Sequence, residues 1–135
     1  MKKDTKDWVF LAEEDLKDAR IMYENKRFAK ACYFAQQSIE KLLKAFLVEN
    51  EKFDIRKHRT HNLVILLEEC KEIDETFEEL EKLPLSKMSI YAVEPRYNLE
   101  FFLKITEEDA KEAIEIAERV REFVLGKLKF LEDKE

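Results

Sequence analysis

The stretch from Phe28 to Asn50 constrains the fold most, because it runs without a glycine or a proline. Phe28, Cys32, Ala35, Ile39, Leu43 and Phe46 recur along it in steps of three and four, which places them on one face of a helix. Punctuation is as scarce elsewhere: the 135 residues hold one glycine and two prolines. Hairpins and sandwiches need frequent turn residues, so the chain favours long helices over sheet. The middle of the stretch is unusual. Gln36, Gln37 and Ser38 interrupt an otherwise apolar and cationic run, and a helix that only filled a core would have little use for two adjacent amides.

The remaining elements follow from the same periodicity. A first helix is predicted from Thr5 to Asn25, with Thr5 as N-cap and Asp7 in the first turn. Its apolar positions are Trp8, Leu11, Ala12, Ala19 and Met22. Asp15 lies on the line of Trp8 and Met22, either at the edge of the stripe in water or as a paired carboxylate on a functional face. The short Lys26-Arg27 link implies an antiparallel hairpin with the second helix. After a loop from Glu51 to Thr60, a third helix carries Leu63, Leu66, Leu67 and Cys70 on its apolar side. Ile73 to Leu83 continues helical as a separate short piece. Pro84 and Pro95 break up the next segment. The last helix starts at Thr106, which forms a capping-box pattern with Asp109. Its small-residue face is Ala110, Ala113, Ala117, Val120 and Val124, and Gly126 is expected to fray or end it. The expected fold is all-α, an antiparallel up-and-down bundle of four to five helices in a single domain over residues 1–135.

Charge and cysteine narrow the function classes. A net charge of −6 argues against a general nucleic-acid coat, while leaving room for a local basic patch. Cys32 and Cys70 fall at apolar helical positions, which indicates free thiols in a reducing compartment. The N-terminal MKKDTKDW lacks the apolar core of a signal peptide, and no apolar run approaches membrane-spanning length. A cytoplasmic protein without membrane association is expected.

Several residues carry a resemblance. Trp8, Ala12, Asp15, Leu16 and Ala19 come first, followed by the unbroken run from Phe28 to Ala45, with Ala35-Gln36-Gln37-Ser38-Ile39-Glu40-Lys41-Leu42-Leu43 its most specific part. Thr60-His61-Asn62-Leu63, Arg96-Tyr97 and Thr106 to Val120 complete it. In order and spacing these resemble the HEPN domain family, named for higher eukaryotes and prokaryotes nucleotide-binding. The resemblance implies one of two functional kinds. Some members are metal-independent ribonucleases, often toxins, with an arginine, a polar residue and a histidine four to six positions beyond the arginine, two such motifs meeting in a dimer cleft. Others lack the motif and bind nucleotides, many beside a minimal nucleotidyltransferase partner. Arg96 stands where the arginine is expected, but Tyr97-Asn98-Leu99-Glu100-Phe101-Phe102-Leu103 follows it and brings no histidine. The usual general acid or base is then missing, and the resemblance points to the binding kind.

The candidate ligand-binding residues fall in three groups. Tyr33, Gln37, Lys41 and Lys44 either form a polar groove, in which aromatics stack bases, amides read edges and lysines hold phosphates, or make a solvated or dimer face. The loop from Lys52 to Arg59 is a candidate anion site through Arg56 and Arg59, next to the start of helix three. Arg56-Lys57-His58-Arg59-Thr60-His61 also fits the ribonuclease pattern as text, although it precedes helix three. His61 reads otherwise as a first-turn residue that bonds locally or touches a neighbouring helix. His58 and His61 have no Cys or acid in register to complete a metal site. Arg96, beside Tyr97 and near Tyr91, is expected to face Asp15 across a cleft. No cofactor and no catalytic residue is assigned. A homodimer is expected from the aromatic segment Tyr91 to Phe102.

Overall fold

The computed structural model describes residues 1–134, with side chains through Leu131; Glu135, the last residue of the expected domain, lies outside them. The described residues form α1 (Lys3–Glu24), α2 (Phe28–Glu49), α3 (Leu63–Ile73), a 3-10 helix (Glu75–Lys82), α4 (Leu85–Ile90), α5 (Glu94–Tyr97), α6 (Leu99–Lys104) and α7 (Glu107–Lys134). The all-α expectation is met. The helices beyond the expected four or five are the three short ones, α4 to α6, which follow Pro84 as the N-cap of α4, Pro95 in the first turn of α5 and Asn98 as the N-cap of α6.

Helix α2 is the axis of the bundle. Ala31, Cys32, Ala35, Ile39, Leu42, Leu43 and Leu47 on it are fully buried. It packs most heavily on α1 and α7. Ala12, Leu16 and Ala19 supply the α1 side, and Ala110, Ala113, Ala117, Val120 and Val124 the α7 side. These small residues let the helix backbones approach closely. Two ion pairs order α1 against α7: the Glu13 carboxylate accepts from two guanidinium nitrogens of Arg121, at 2.5 and 2.8 Å, and Arg20 reaches Glu118. The pairing descends along α7 as it ascends along α1, so these two helices are antiparallel. Phe77 of the 3-10 helix closes the far end, wedged between Phe46 and Phe123.

The α1–α2 hairpin is made by a C-cap of a specific kind. Lys26 takes a left-handed conformation (φ 60°). Its N–H donates to Tyr23 O, and that of Arg27 to Met22 O. This is the Schellman pattern, in which glycine is the usual left-handed residue. The end of α2 repeats it with Glu51 (φ 57°) in place of Lys26. In both, the preceding asparagine side chain donates back to the carbonyl four residues earlier, Asn25 to Ile21 and Asn50 to Phe46.

Three local expectations are corrected. Thr5 is not an N-cap: α1 begins at Lys3, and the buried Thr5 hydroxyl donates to Glu49 Oε1 at the end of α2. Leu11 is exposed rather than part of the core stripe. Gly126 neither frays nor ends α7, which continues to Lys134, because Leu128, fully buried, extends the apolar face beyond it. The capping box is present as read: Thr106 N–H donates to Asp109 Oδ2 and Asp109 N–H to Thr106 Oγ1. Asn62 caps α3 by accepting from Val64 and Ile65.

Candidate functional site

The unusual middle of α2 is a buried polar hub. Glu40 is 5% exposed, and its carboxylate accepts from three groups. Lys44 Nζ, one turn on, donates to Oε2 at 2.9 Å. His61 Nδ1 lies 2.8 Å from Oε1, and Gln36 Nε2 donates to the same oxygen at 3.3 Å. Gln36 Nε2 also donates to His61 O at 3.2 Å, and Gln37 Nε2 donates to Gln36 Oε1. A buried carboxylate must be paired and hydrogen-bonded to stay ionised, and here every partner comes from α2 or from the residue before the α3 cap. The loop 51–62 carries the chain back from the end of α2 to its middle, which is why residue 61 meets residues 36 and 40. The two adjacent amides therefore serve this hub: Gln36 is fully buried and Gln37 partly so.

A carboxylate oxygen only accepts, so the Nδ1 contact is a hydrogen bond when the proton is on His61 Nδ1, which leaves Nε2 as an acceptor. Half of the His61 side chain is exposed. A carboxylate behind an imidazole fixes its tautomer and steadies the imidazolium that a proton transfer would create. The hub can thus orient a general base.

Beside it, Lys41 Nζ donates to Asp15 Oδ2 at 2.6 Å. Burial pushes the Asp15 carboxyl above its ordinary value, against the opposing pull of Lys41. Asp15 is thus the paired carboxylate of the two readings, but its partner is Lys41. The expected confrontation with Arg96 does not occur, because α5 sets Arg96 against the N-terminal half of α2. Lys44 is likewise not on a solvated groove: it is 8% exposed, bound to Glu40 and 5.8 Å from the centre of the Trp8 ring.

Arg96 makes a different arrangement. Its guanidinium lies 5.4 Å from the centre of the Tyr33 ring and 6.0 Å from that of Tyr97. The guanidinium donates to Ala92 O over a long 3.4 Å. Among the described residues no carboxylate pairs with it. Tyr33, Arg96, Pro95 and Phe102 border a small pocket of about 180 Å³, below the usual size of a whole-ligand site. Tyr97 is 79% exposed, so aromatic face and cation are both presented to solvent.

The basic loop divides. His58 is buried: its Nδ1 accepts from Asp54 N–H, and its ring stacks on Phe53, which in turn packs on Trp8. It fastens the loop down, and shares no partner with His61. Arg56 N–H donates to Asp54 Oδ1 within the turn. Arg59 and His61 border one open groove against α4, lined also by Ser86 and Glu94, whereas Arg56 does not border it.

The model of the HEPN domain matches residues 5–128. The chain belongs to the HEPN domain family. A relative from Methanocaldococcus jannaschii, described as "Putative toxin MJ1304", is 29% identical over 128 residues, 87% of this chain and 84% of its own. The structure of TT1696 from Thermus thermophilus superposes with a TM-score of 0.81 at 23% identity, over 93% of this chain and 99% of that one. ST0689, described as an archaeal HEPN homologue, gives 0.74 at 26% identity, over 94% and 98%. In this HEPN domain the candidates separate into the ionic group of Asp15, Lys41, Lys44 and His61, with Gln37 at its edge, and the stacked group of Tyr33, Arg96 and Tyr97. The sequence marked Gln36 as unusual, but neither Gln36 nor Glu40 was among the candidate ligand-binding residues. The Glu40–Lys44 spacing of four was a visible signal for an ion pair; its burial was not visible.

Proposed function

We propose that this HEPN protein is a non-catalytic nucleotide- or RNA-binding module. In this reading it works with a minimal nucleotidyltransferase as half of a toxin–antitoxin-like pair, and is itself a homodimer. The observation that carries the reading is Arg96. A guanidinium without a counter-ion, stacked between two tyrosines, offers charge to a phosphate and π-faces to a base. The name of the Methanocaldococcus relative supports the toxin setting. Exposed Tyr97, Leu99 and Leu103, at 71–79%, support a second copy on the α5–α6 face. The test is fluorescence anisotropy with labelled AMP and labelled single-stranded RNA. Wild-type binding should fall about tenfold in Arg96→Ala and in Tyr33→Ala, the cost of a stacked cation or ring. Absence of binding to both probes would refute the reading.

A metal-independent ribonuclease is the second reading, favoured by the Glu40–His61 pair. His61 Nε2 would take the proton of an RNA 2′-OH, the 2′-oxygen would attack the adjacent phosphorus, and the 5′-oxygen would leave as an alcohol after protonation. Labelled RNA incubated in EDTA decides between the two. No cleavage by the wild type keeps the first reading; cleavage lost in His61→Ala replaces it with the second.

A further inference from the structure

The Arg96 pocket does not end at Arg96. It shares Ala29, Lys30 and Phe102 with a second depression of about 340 Å³, bordered by Lys26, Arg27 and Leu103. The two form one trench along the first turns of α2, between that helix and α6. Phe28, Phe102 and Ile105, all half-buried, make its floor. Its cations are Lys26, Arg27, Lys30 and Arg96. Lys26, Arg27, Lys30 and Arg96 are all exposed, and among the described residues none of the four has a carboxylate partner. No acidic residue borders either part of the trench, in a chain whose acids outnumber its bases, 31 to 25. Elsewhere the lysines are commonly neutralised, as Lys2, Lys41, Lys44, Lys71 and Lys87 are. Here four cations without a carboxylate partner among the described residues lie together over an apolar and aromatic floor.

Lys26 strengthens the point. Its left-handed backbone is one that glycine adopts more easily, so the side chain is kept at a conformational cost. It is exposed, and the turn is held by backbone bonds and by Asn25 rather than by the Lys26 side chain.

We propose that this trench is an extension of the binding platform that holds a single-stranded nucleic acid, with phosphates along Lys26, Arg27 and Lys30 and a base toward Tyr33 and Arg96. The inference rests on the binding reading above and names its ligand as a strand rather than a free mononucleotide. Charge complementarity selects a polyanion, and the aromatic floor selects one with flat apolar faces. From Phe28 to Tyr33 the trench follows α2 for roughly 8 Å at 1.5 Å per residue, about two stacked nucleotide steps.

The test uses a fluorescein-labelled single-stranded RNA 12-mer, with labelled AMP in parallel. The variants are Lys26→Gly, Lys30→Glu, their combination, Arg96→Ala, and Lys129→Glu as a control at the far end of α7. The combined variant should bind the RNA about tenfold or more weakly at low salt, and its log K against log salt should flatten by about 0.7 for each phosphate no longer neutralised. AMP binding should change little in Lys26→Gly, since Lys26 does not border the Arg96 pocket. Lys26→Gly should keep or raise the Tm, so its loss of affinity is not a loss of fold. Lys129→Glu should bind like the wild type. The inference is overturned if Lys129→Glu loses as much as Lys30→Glu, or if poly-glutamate displaces the RNA as well as unlabelled RNA does. Trench variants that bind normally while Arg96→Ala does not would overturn the trench alone; a wild type that binds neither probe would overturn both readings.

Discussion

Glu40 and Lys44 form a pair that is almost wholly out of water, with side chains 6% and 10% exposed. Replacing Glu40 by Ala should therefore cost far more than losing a surface salt bridge. It leaves an ammonium buried between α1 and α2 with no acceptor, and removing one partner of a buried pair typically costs about 3 to 5 kcal/mol. A chain of this length has an unfolding entropy near its midpoint of about 0.28 kcal/mol per kelvin. The expected fall in Tm is then about 10 to 18 °C. Replacing both partners, Glu40→Met with Lys44→Met, removes the stranded charge. Gln36 keeps its bond to His61 O, and half-exposed His61 can turn to water. The double variant should recover to within about 1 to 2 kcal/mol of the wild type, since apolar residues of similar volume often replace a buried pair without loss. Thermal or urea unfolding of the wild type, both single variants and the double variant gives the coupling directly. A cost below about 1 kcal/mol for Glu40→Ala, the range of exposed pairs, would refute the reasoning. So would a double variant no more stable than the worse single one.

Gly126→Ala should raise stability by about 0.5 to 1 kcal/mol, seen as a Tm higher by about 2 to 4 °C, because Gly126 lies inside α7 and a Cβ there meets nothing within 4 Å. Ser38→Ala should cost about 1 kcal/mol in urea unfolding, since its buried hydroxyl donates to Ala12 O across the α1–α2 contact. Glu49 gives a pH signature. Burial alone would raise its carboxyl, but bonds from Lys2 N–H and the Thr5 hydroxyl, with the positive charge of the N-terminus, bring it below its ordinary value of 4.5. A lowered folded-state value contributes stability above the ordinary range that is lost as pH falls through the folded value. The Tm difference between wild type and Glu49→Gln should be full at about pH 6 and shrink as pH drops below about 4; a difference that stays constant or grows would contradict it. Cys32, held up to about 12 by burial, should react with thiol reagents at neutral pH only as the chain unfolds, which labelling rates in urea would show.

Most of the fold was legible because its determinants are local. The stretch from Phe28 to Asn50 marks α2 to within a residue of its observed end, since burial repeats every three or four positions along it. Thr106 and Asp109 lie within one turn, so their reciprocal bonds could be read from letters. Reading failed where a local signal was replaced by a distant one. Thr5 looked like a cap but bonds to Glu49, and Gly126 looked like a stop in a helix whose packing carries it through. No glycine marked the two Schellman turns, because Lys26 and Glu51 take the left-handed position.

The site was legible only as a set of residue types. The sequence by itself determined that α2 carries amides, an acid and two lysines along its middle, that an arginine follows Pro95, and that no histidine follows that arginine within reach. Tertiary structure alone decided that His61 returns to Glu40, that Asp15 belongs to Lys41, and that Arg96 stacks on Tyr33 beside a trench of unpaired cations. Helical periodicity and capping act over a few residues and cost little entropy to specify. The pairing of Asp15 with Lys41 across 26 positions depends on how α1 turns back on α2 at Lys26. Those across 21 and 63 positions depend on the path of the 51–62 loop and of the broken segment after Pro84, and that path is set by how His58, Phe53 and Trp8, or Tyr91 and Phe101, pack once the helices have met.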